Sequence, residues 1–476
     1  MYRLRCCRIY HLLGLVKAGG RLKCKKLIFF GSIFGHRSYQ QIITAMMKQV
    51  RYILAILIFG TGFIASAQDM PKVWDLKACI VYAKEKNISI NNLKLSAGVA
   101  EQSLIAAKAA TLPNLTGSAS QSLTNYKSGL QNATGIGLNS DLVLYSGSYL
   151  KNDIKSKNLS YQVANLSVSA AENDVTISIT QAYLNVLLAK ENITYLQDLM
   201  NTSKAQVDRA TAQLKFGTIA KKDLLQLQAT YASDKYTLVT AENTLQQNIL
   251  TLKQLLQLPT STPFEVNTVD TVSNVNMVDN LNTAQEKALL VRPEIKAGEL
   301  TVQLQNVELE KAKSTLKPTL SLDGGLHTGY NSVNSGNFGY QFNNGFYQNV
   351  GLTLAIPIFD RKVTKTNVAK ANIGIEQARL SLLDSKTNLT QSVERAYINV
   401  KNANSQYEAA KEQFVYTGEA LRISNAALAQ GTNNIVENLQ QKNLYVQAMQ
   451  AFVQAKYTAN LYTKIYNFYI GEPITN

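Results

Sequence analysis

The chain of 476 residues is poor in the side chains that carry chemistry: four cysteines, three histidines and one tryptophan. Cys6, Cys7 and Cys24, like His11 and His36, precede residue 67. Only Cys79 and His327 follow it, so no intrachain disulfide is available there. One His and one Cys also fall short of the usual metal-ligand set, so no metal site and no cofactor are expected. A P-loop, a nucleotide-binding glycine fingerprint and a nucleophile elbow are all lacking. Carboxylates are scattered along the chain without an evident pair. The pattern is that of a non-enzyme. Proline is scarce as well, and informatively placed. None of the eight prolines lies in 146–258 or 361–472. Proline inside a helix costs ~3 kcal/mol, so both windows are free to be helical throughout.

Long apolar runs are missing too. After residue 67 no run reaches ~18 residues, so no membrane-spanning helix is expected there. Residues 46–67, MMKQVRYILAILIFGTGFIASA, read as a signal peptide. They have a basic start (Lys48, Arg51), a short apolar core and an Ala65-Ser66-Ala67 end. The core is too short for a span of ~20 residues. Residues 1–45 carry nine Lys/Arg and no acid. They read as an over-extended start, with translation beginning at Met46 or Met47; a genuine basic presequence is the alternative. The formal charge of +16 is concentrated here. Without residues 1–67 the chain keeps 37 basic and 32 acidic residues, a net +5. A nucleic-acid partner therefore loses its support.

What the sequence does contain is repetition. KFGTIAKKDLLQLQ at 215–228 is echoed by AQGTNNIVENLQQK at 429–442, an offset of 214. At the same offset Ala182-Tyr-Leu-Asn-Val186 matches Ala396-Tyr-Ile-Asn-Val400, Leu144-Tyr145 matches Ile358-Phe359, and Pro259 matches Pro473. Upstream the offset is 205: Leu112-Pro113-Asn-Leu115 matches Lys317-Pro318-Thr-Leu320, and Ala83 matches Ala288. A tandem duplication follows. The expected units are 68–260 and 278–476, with 261–277 as the inter-repeat linker. The second copy has nine extra residues, placed in the Gly/Asn-rich stretch 331–345, which reads as a longer surface loop.

Each proline-free window is broken once, at Gly217 and at Gly431. Glycine just past a helix end is a common C-terminal cap, and Thr218 and Thr432 then read as caps of the returning helix. The helix before each break, about 148–216 and 361–430, is ~100 Å long at 1.5 Å per residue. The shorter runs 76–111 and 218–257 together match the first long helix. The runs 282–315 and 432–470 match the second. The simplest packing stacks two short helices end to end beside each long one. Between them, 113–145 and 318–359 change texture. Leu320, Leu322, Leu326 and Tyr330 share one face, opposite Ser321, Asp323 and His327; Val350, Leu352, Leu354, Ile356 and Ile358 share another. Such alternation marks a membrane β-strand or a soluble hairpin with one buried face. Four strands cannot close a barrel, which needs ~8 or more, and lipid does not tolerate open edges. Spanning strands would have to be shared between chains, and three chains supply twelve.

These features together resemble the outer-membrane efflux protein family of TolC-like channels: the duplicated unit, the strand entries at Leu112–Leu115 and Lys317–Leu320, Arg292-Pro293-Glu294-Ile295, and the Gly-Thr tips. The resemblance implies a mainly α protein with a β-barrel portion. It would be a homotrimer with four transmembrane strands per protomer, set in outer-membrane lipid, with its helical barrel in the periplasm. It implies an exit duct of a tripartite efflux system, passive, served by a periplasmic adaptor and an inner-membrane RND or ABC pump. Phe216, Gly217, Thr218, Gln430, Gly431 and Thr432 would then dock the adaptor. Asp223 and Glu437 would stand at the periplasmic entrance, where a ring of carboxylates favours cations. The family's second acid falls here on Gln440, and Lys221 and Lys222 add positive charge near the first tip. The same fold could serve a type I protein-secretion system. A soluble periplasmic coiled-coil scaffold would explain the helices but not the four matched strands. The lack of His and Met clusters argues against dedicated copper or silver export.

Overall fold

The computed structural model describes residues 73–267 and 280–474. The expected start and signal segments, and residues 268–277 of the expected linker, lie outside the described residues. In the first half of Pro71–Asn476, β1 (Val73–Trp74) leads into α1 (Leu76–Lys86), α2 (Ile88–Ala109), β2 (Thr116–Tyr126) and β3 (Gly129–Ser146). The long α3 (Tyr149–Lys215) and α4 (Lys221–Leu255) follow, then β4 (Glu265–Val266). The second half repeats the order: α5 (Leu281–Val291), α6 (Pro293–Ser314), β5 (Thr319–Asn331), a short α7 (Phe338–Asn344), β6 (Tyr347–Ala355), α8 (Val363–Ala429) and α9 (Ile435–Tyr469).

The two long helices have 67 residues each and the two returning ones 35 each. Neither long helix contains proline, and their many Ser and Thr side chains donate to the carbonyl one turn back. Thr176 to Glu172 (2.6 Å) and Thr180 to Thr176 (2.8 Å) are examples. α3 packs against α2, α4 and α6, and α8 against α5, α6 and α9. Thus α6 lies between the two long helices, and α9 bridges from α8 to α3.

The run expected as one helix over 76–111 is broken at Asn87, and that over 282–315 at Arg292. Asn87 leaves the helical region (φ −59°, ψ 125°) and its Oδ1 accepts from the N–H groups of Ser89 and Ile90, ending one helix and capping the next. Arg292 occupies the equivalent place 205 residues on. It is held extended because Pro293 follows it.

β2, β3, β5 and β6 form one antiparallel sheet in that order, leaving β2 and β6 as edges. Pairing puts Leu142 beside Leu322 and Leu322 beside Leu352, with Leu138 beside Leu326, all on one face. The opposite face carries Ser118, Ser120, Asn139, Asp141, Ser321, Asp323 and His327. Among the described residues, neither face is covered by a second layer except where α7 meets β5. The stretch 331–345, expected as a loop, contains α7. Asn337 caps it, Gln341 accepts from the N–H of Asn331, and Phe338 packs on the Tyr330 ring at 5.5 Å. Its helical run is only seven residues, too short for a periodic pattern to stand out in the sequence. β6 ends at Ala355, so Ile356, Ile358 and Phe359 lie beyond the strand.

The cores are thin, as expected of layers one helix deep. The largest joins Trp74, Cys79, Tyr183, Val186, Leu252 and Val266 around the parallel pair β1–β4. Lys190 Nζ donates to the Val266 carbonyl (2.7 Å) and the Tyr183 hydroxyl to that of Asn267 (3.0 Å), tying the end of the first repeat to α3. In the second repeat Ala396, Val400 and Tyr466 form the matching core.

Candidate functional site: the helical tips and the sheet faces

The two tips have one geometry. Gly217 has φ +70° and Gly431 φ +74°, the left-handed region in which a Cβ is strained. At the first tip the Gly217 N–H donates to Leu214 O (3.0 Å) and the Thr218 N–H to Gln213 O (3.1 Å). At the second, Gly431 donates to Leu428 O (3.2 Å) and Thr432 to Ala427 O (3.0 Å). This is the Schellman closure, which satisfies carbonyls the helix end would leave bare.

The threonines do not cap the returning helices. Their hydroxyls reach backwards, Thr218 Oγ1 to Gln213 O (2.9 Å) and Thr432 Oγ1 to Ala427 O (3.1 Å). They reinforce the outgoing helix instead, because the left-handed glycine folds them back over its last turn. The returning helices start two residues later. Ala220 stands at the first start without a side-chain cap, and Asn434 at the second, its Oδ1 accepting from the Glu437 N–H (2.8 Å). Asp223 and Glu437 are both the third residue of their helices, where a carboxylate is favoured by the helix dipole. Asp223 is half-buried; Glu437 and Gln440 are exposed. Phe216 is 82% exposed, a large apolar side chain offered to solvent at the extreme end of the hairpin. The two tips touch one another through Ala210, Leu224, Leu227 and Leu439.

Sequence reasoning missed the polar group that joins the hairpins above the tips. Lys442 on α9 donates to Asp234 Oδ2 on α4 (2.6 Å) and to Ser203 Oγ on α3 (2.5 Å), and Ser203 also bonds Asp234. The Lys442 side chain is 4% exposed. A lysine three residues from Leu439 on an otherwise apolar stripe was the available signal. Beside it, Asn438 is buried and donates to Ser424 Oγ and Asn425 Oδ1.

Among the described residues no group of three or more His, Cys, Asp or Glu could hold a metal ion. No helix there is long and apolar enough to cross a membrane. The sheet has one apolar face and one polar face.

Comparison with known proteins agrees with this architecture. A family model described as outer membrane efflux protein matches residues 80–257 and 284–461. Outer membrane protein TolC of Escherichia coli K12 is 22% identical over 426 residues, covering 87% of this chain and 84% of its own. Among solved structures, CusC superposes with a TM-score of 0.73 at 20% identity, covering 84% of this chain and 92% of that one. The Campylobacter jejuni CmeC outer membrane channel superposes with a TM-score of 0.71 at 19% identity, covering 83% and 85%. At such identities the structural likeness speaks for the fold.

Proposed function

The chain belongs to the outer membrane efflux protein family, and from that premise we propose that it is the outer-membrane exit channel of a tripartite efflux system. The observation that carries this reading is the open four-stranded sheet, apolar on one face and polar on the other, with two unpaired edges. It sits at one end of helices ~100 Å long. Such a sheet is stable in lipid only if its edges are closed by further copies. Three copies give a twelve-stranded barrel with the polar face inward and a continuous helical duct below it. The duct is passive: transport energy comes from an inner-membrane RND or ABC pump, through a periplasmic adaptor.

Phe216, Gly217, Thr218, Gln430, Gly431 and Thr432 are the adaptor-facing surface. Their support is that both repeats build the same turn at the far end of the molecule, and that Phe216 protrudes unpacked. Asp223, Glu437 and Gln440, one turn back, line the periplasmic entrance. In a host lacking its own outer-membrane efflux channel, the chain with its cognate pump and adaptor should restore drug resistance. The Gly217→Arg/Gly431→Arg variant should reach the outer membrane as a trimer yet restore none. A photo-crosslinking residue at Phe216 should capture the adaptor. Full resistance from the arginine variant would remove the tips from the docking surface.

A further inference from the structure

The two repeats turn differently at the end of the sheet away from the long helices. In the first, β2 and β3 are joined by Lys127 and Ser128 alone. In the second, β5 and β6 are joined by residues 332–346, which include α7. Two side chains of the apolar face meet α7. Tyr330 packs on Phe338, which stacks in turn on Phe342 (5.4 Å), and the Thr328 hydroxyl donates to the Phe342 carbonyl. α7 therefore lies against the apolar face, not over the polar one. The rings it offers outward are large: Tyr340 is 61% exposed and Phe346, just before β6, is 57% exposed. No Asp, Glu, Lys or Arg occurs in 324–359.

The loop is also closed on itself. β6 stops pairing with β5 at His327–Tyr347, and a side chain takes over beyond that point. Gln341 Oε1 accepts from the Asn331 N–H (2.9 Å), and its Nε2 reaches the carbonyls of Asn331 (3.1 Å), Asn334 (2.9 Å) and Gly336 (3.0 Å). Asn331 Oδ1 accepts from the Val333 N–H (3.1 Å) and Asn337 Oδ1 from that of Tyr340 (2.9 Å). One glutamine thus does for the loop what a longer β6 would do. A loop in water has no need of this. Irregular backbone beside hydrocarbon does, because its polar groups must be satisfied within the protein.

Height points the same way. Tyr330 lies ten residues beyond Leu320 on the same face of β5. At ~3.3 Å per residue and a tilt of ~40°, the rise is ~25 Å, the height of the apolar band on an outer-membrane barrel. The stack on Tyr330 stands at the edge of that band, where aromatic rings settle.

We propose that α7 and Phe346 form a lipid anchor on the outside of the sheet, with Tyr340 and Phe346 among the first carbons of the outer-leaflet acyl chains. Gln341 is the positioning residue that pins the anchor there. This rests on the channel reading above, which sets the sheet in lipid. The lack of charge across 324–359 matches acyl chains and not ionic head groups. In the proposed channel α7 then stands outside the exit path.

The test reconstitutes the full chain in phosphatidylcholine vesicles whose acyl chains carry bromine either near the head group or near the chain end. Trp74 is the single tryptophan and is buried, so an added tryptophan is read over a constant background. Emission from Tyr340→Trp and from Phe346→Trp should be quenched more by the shallow bromines than by the deep ones, and spared by iodide. Val350→Trp, mid-strand on the apolar face and 82% exposed, is the control and should be quenched by the deep bromines. Adding Gln341→Ala to Tyr340→Trp should exchange bromine quenching for iodide quenching; an unchanged lipid signal would strike Gln341 from the proposal. Iodide quenching at 340 and 346 beside a bromine-quenched Val350→Trp overturns the anchor and leaves the channel reading standing. Bromine quenching at none of the three positions sinks the lipid-set sheet and the anchor together. Emission at 340 and 346 that neither quencher reaches would mean that protein covers α7, and overturns the anchor as well.

Discussion

At each tip a single glycine makes the turn. A Cβ added at Gly217 or Gly431 would meet nothing within 4 Å, so the cost of a substitution there is backbone strain alone. Gly217→Ala and Gly431→Ala should each destabilise by ~1–2 kcal/mol, the left-handed penalty for an L-residue. Gly217→Asn should cost less, since Asn tolerates that region. Thermal inactivation temperatures of the purified protein check the order Gly, Asn, Ala. Cys79 gives a second residue-scale prediction. Burial, with a smaller push from Asp75, raises its thiol from 9.0 to about 12. Maleimide at pH 8 should therefore leave Cys79 unlabelled in the folded protein and label it after denaturation. Between pH 9 and 12 the unfolded chain releases this proton while the folded one keeps it. The folded state then binds more protons, and stability must fall as pH rises through that window. A melting temperature flat from pH 9 to 11 would contradict this.

Among the elements, the junction of α3, α4 and α9 is the most exacting. Removing one member of a buried ion pair strands the other, at ~3–5 kcal/mol. Lys442→Met should therefore lower stability sharply, as should Asp234→Leu. The double variant should recover much of the loss, because both charges are gone. A double-mutant cycle on inactivation temperature measures the coupling; strict additivity would mean the pair acts independently. The residues of this junction are separated by 31, 208 and 239 positions. Nothing local in the sequence announces such a contact. The long helices were legible because the absence of proline over an entire window is a strong negative signal, and the strands because alternation persists for ten residues. The helix breaks at Asn87 and Arg292 were not separated from their runs, although Pro293 marks one of them. The tip glycines were readable from their repeat. The direction of the threonine hydroxyls was not, because it depends on the dihedral of the residue before them. α7 was hidden by a Gly/Asn-rich composition that favours a loop.

For the whole molecule, one cross-strand pair bears on the channel proposed above. Asp141 stands directly opposite Asp323 on the polar face, with Thr353 Oγ1 donating to Asp323 Oδ1 at 3.3 Å. Like charges opposite one another in an antiparallel pair are unfavourable by a fraction of a kcal/mol up to ~1 kcal/mol. Each protomer brings one such acidic pair, so the proposed trimer would bring three. Six carboxylates at one level of the proposed barrel's lumen would raise the local concentration of cations. The double variant Asp141→Asn/Asp323→Asn should therefore be no less stable than the parent, and should shift the reversal potential in a planar bilayer under a KCl gradient towards zero. The shift should shrink at high salt, where the Debye length falls to ~3 Å at 1 M. If Asp223 and Glu437 line the proposed entrance, the variant Asp223→Asn/Glu437→Asn acts in series with these carboxylates. If it alone moves the reversal potential, selectivity lies at the tips; if both variants do, the duct filters charge at its two ends.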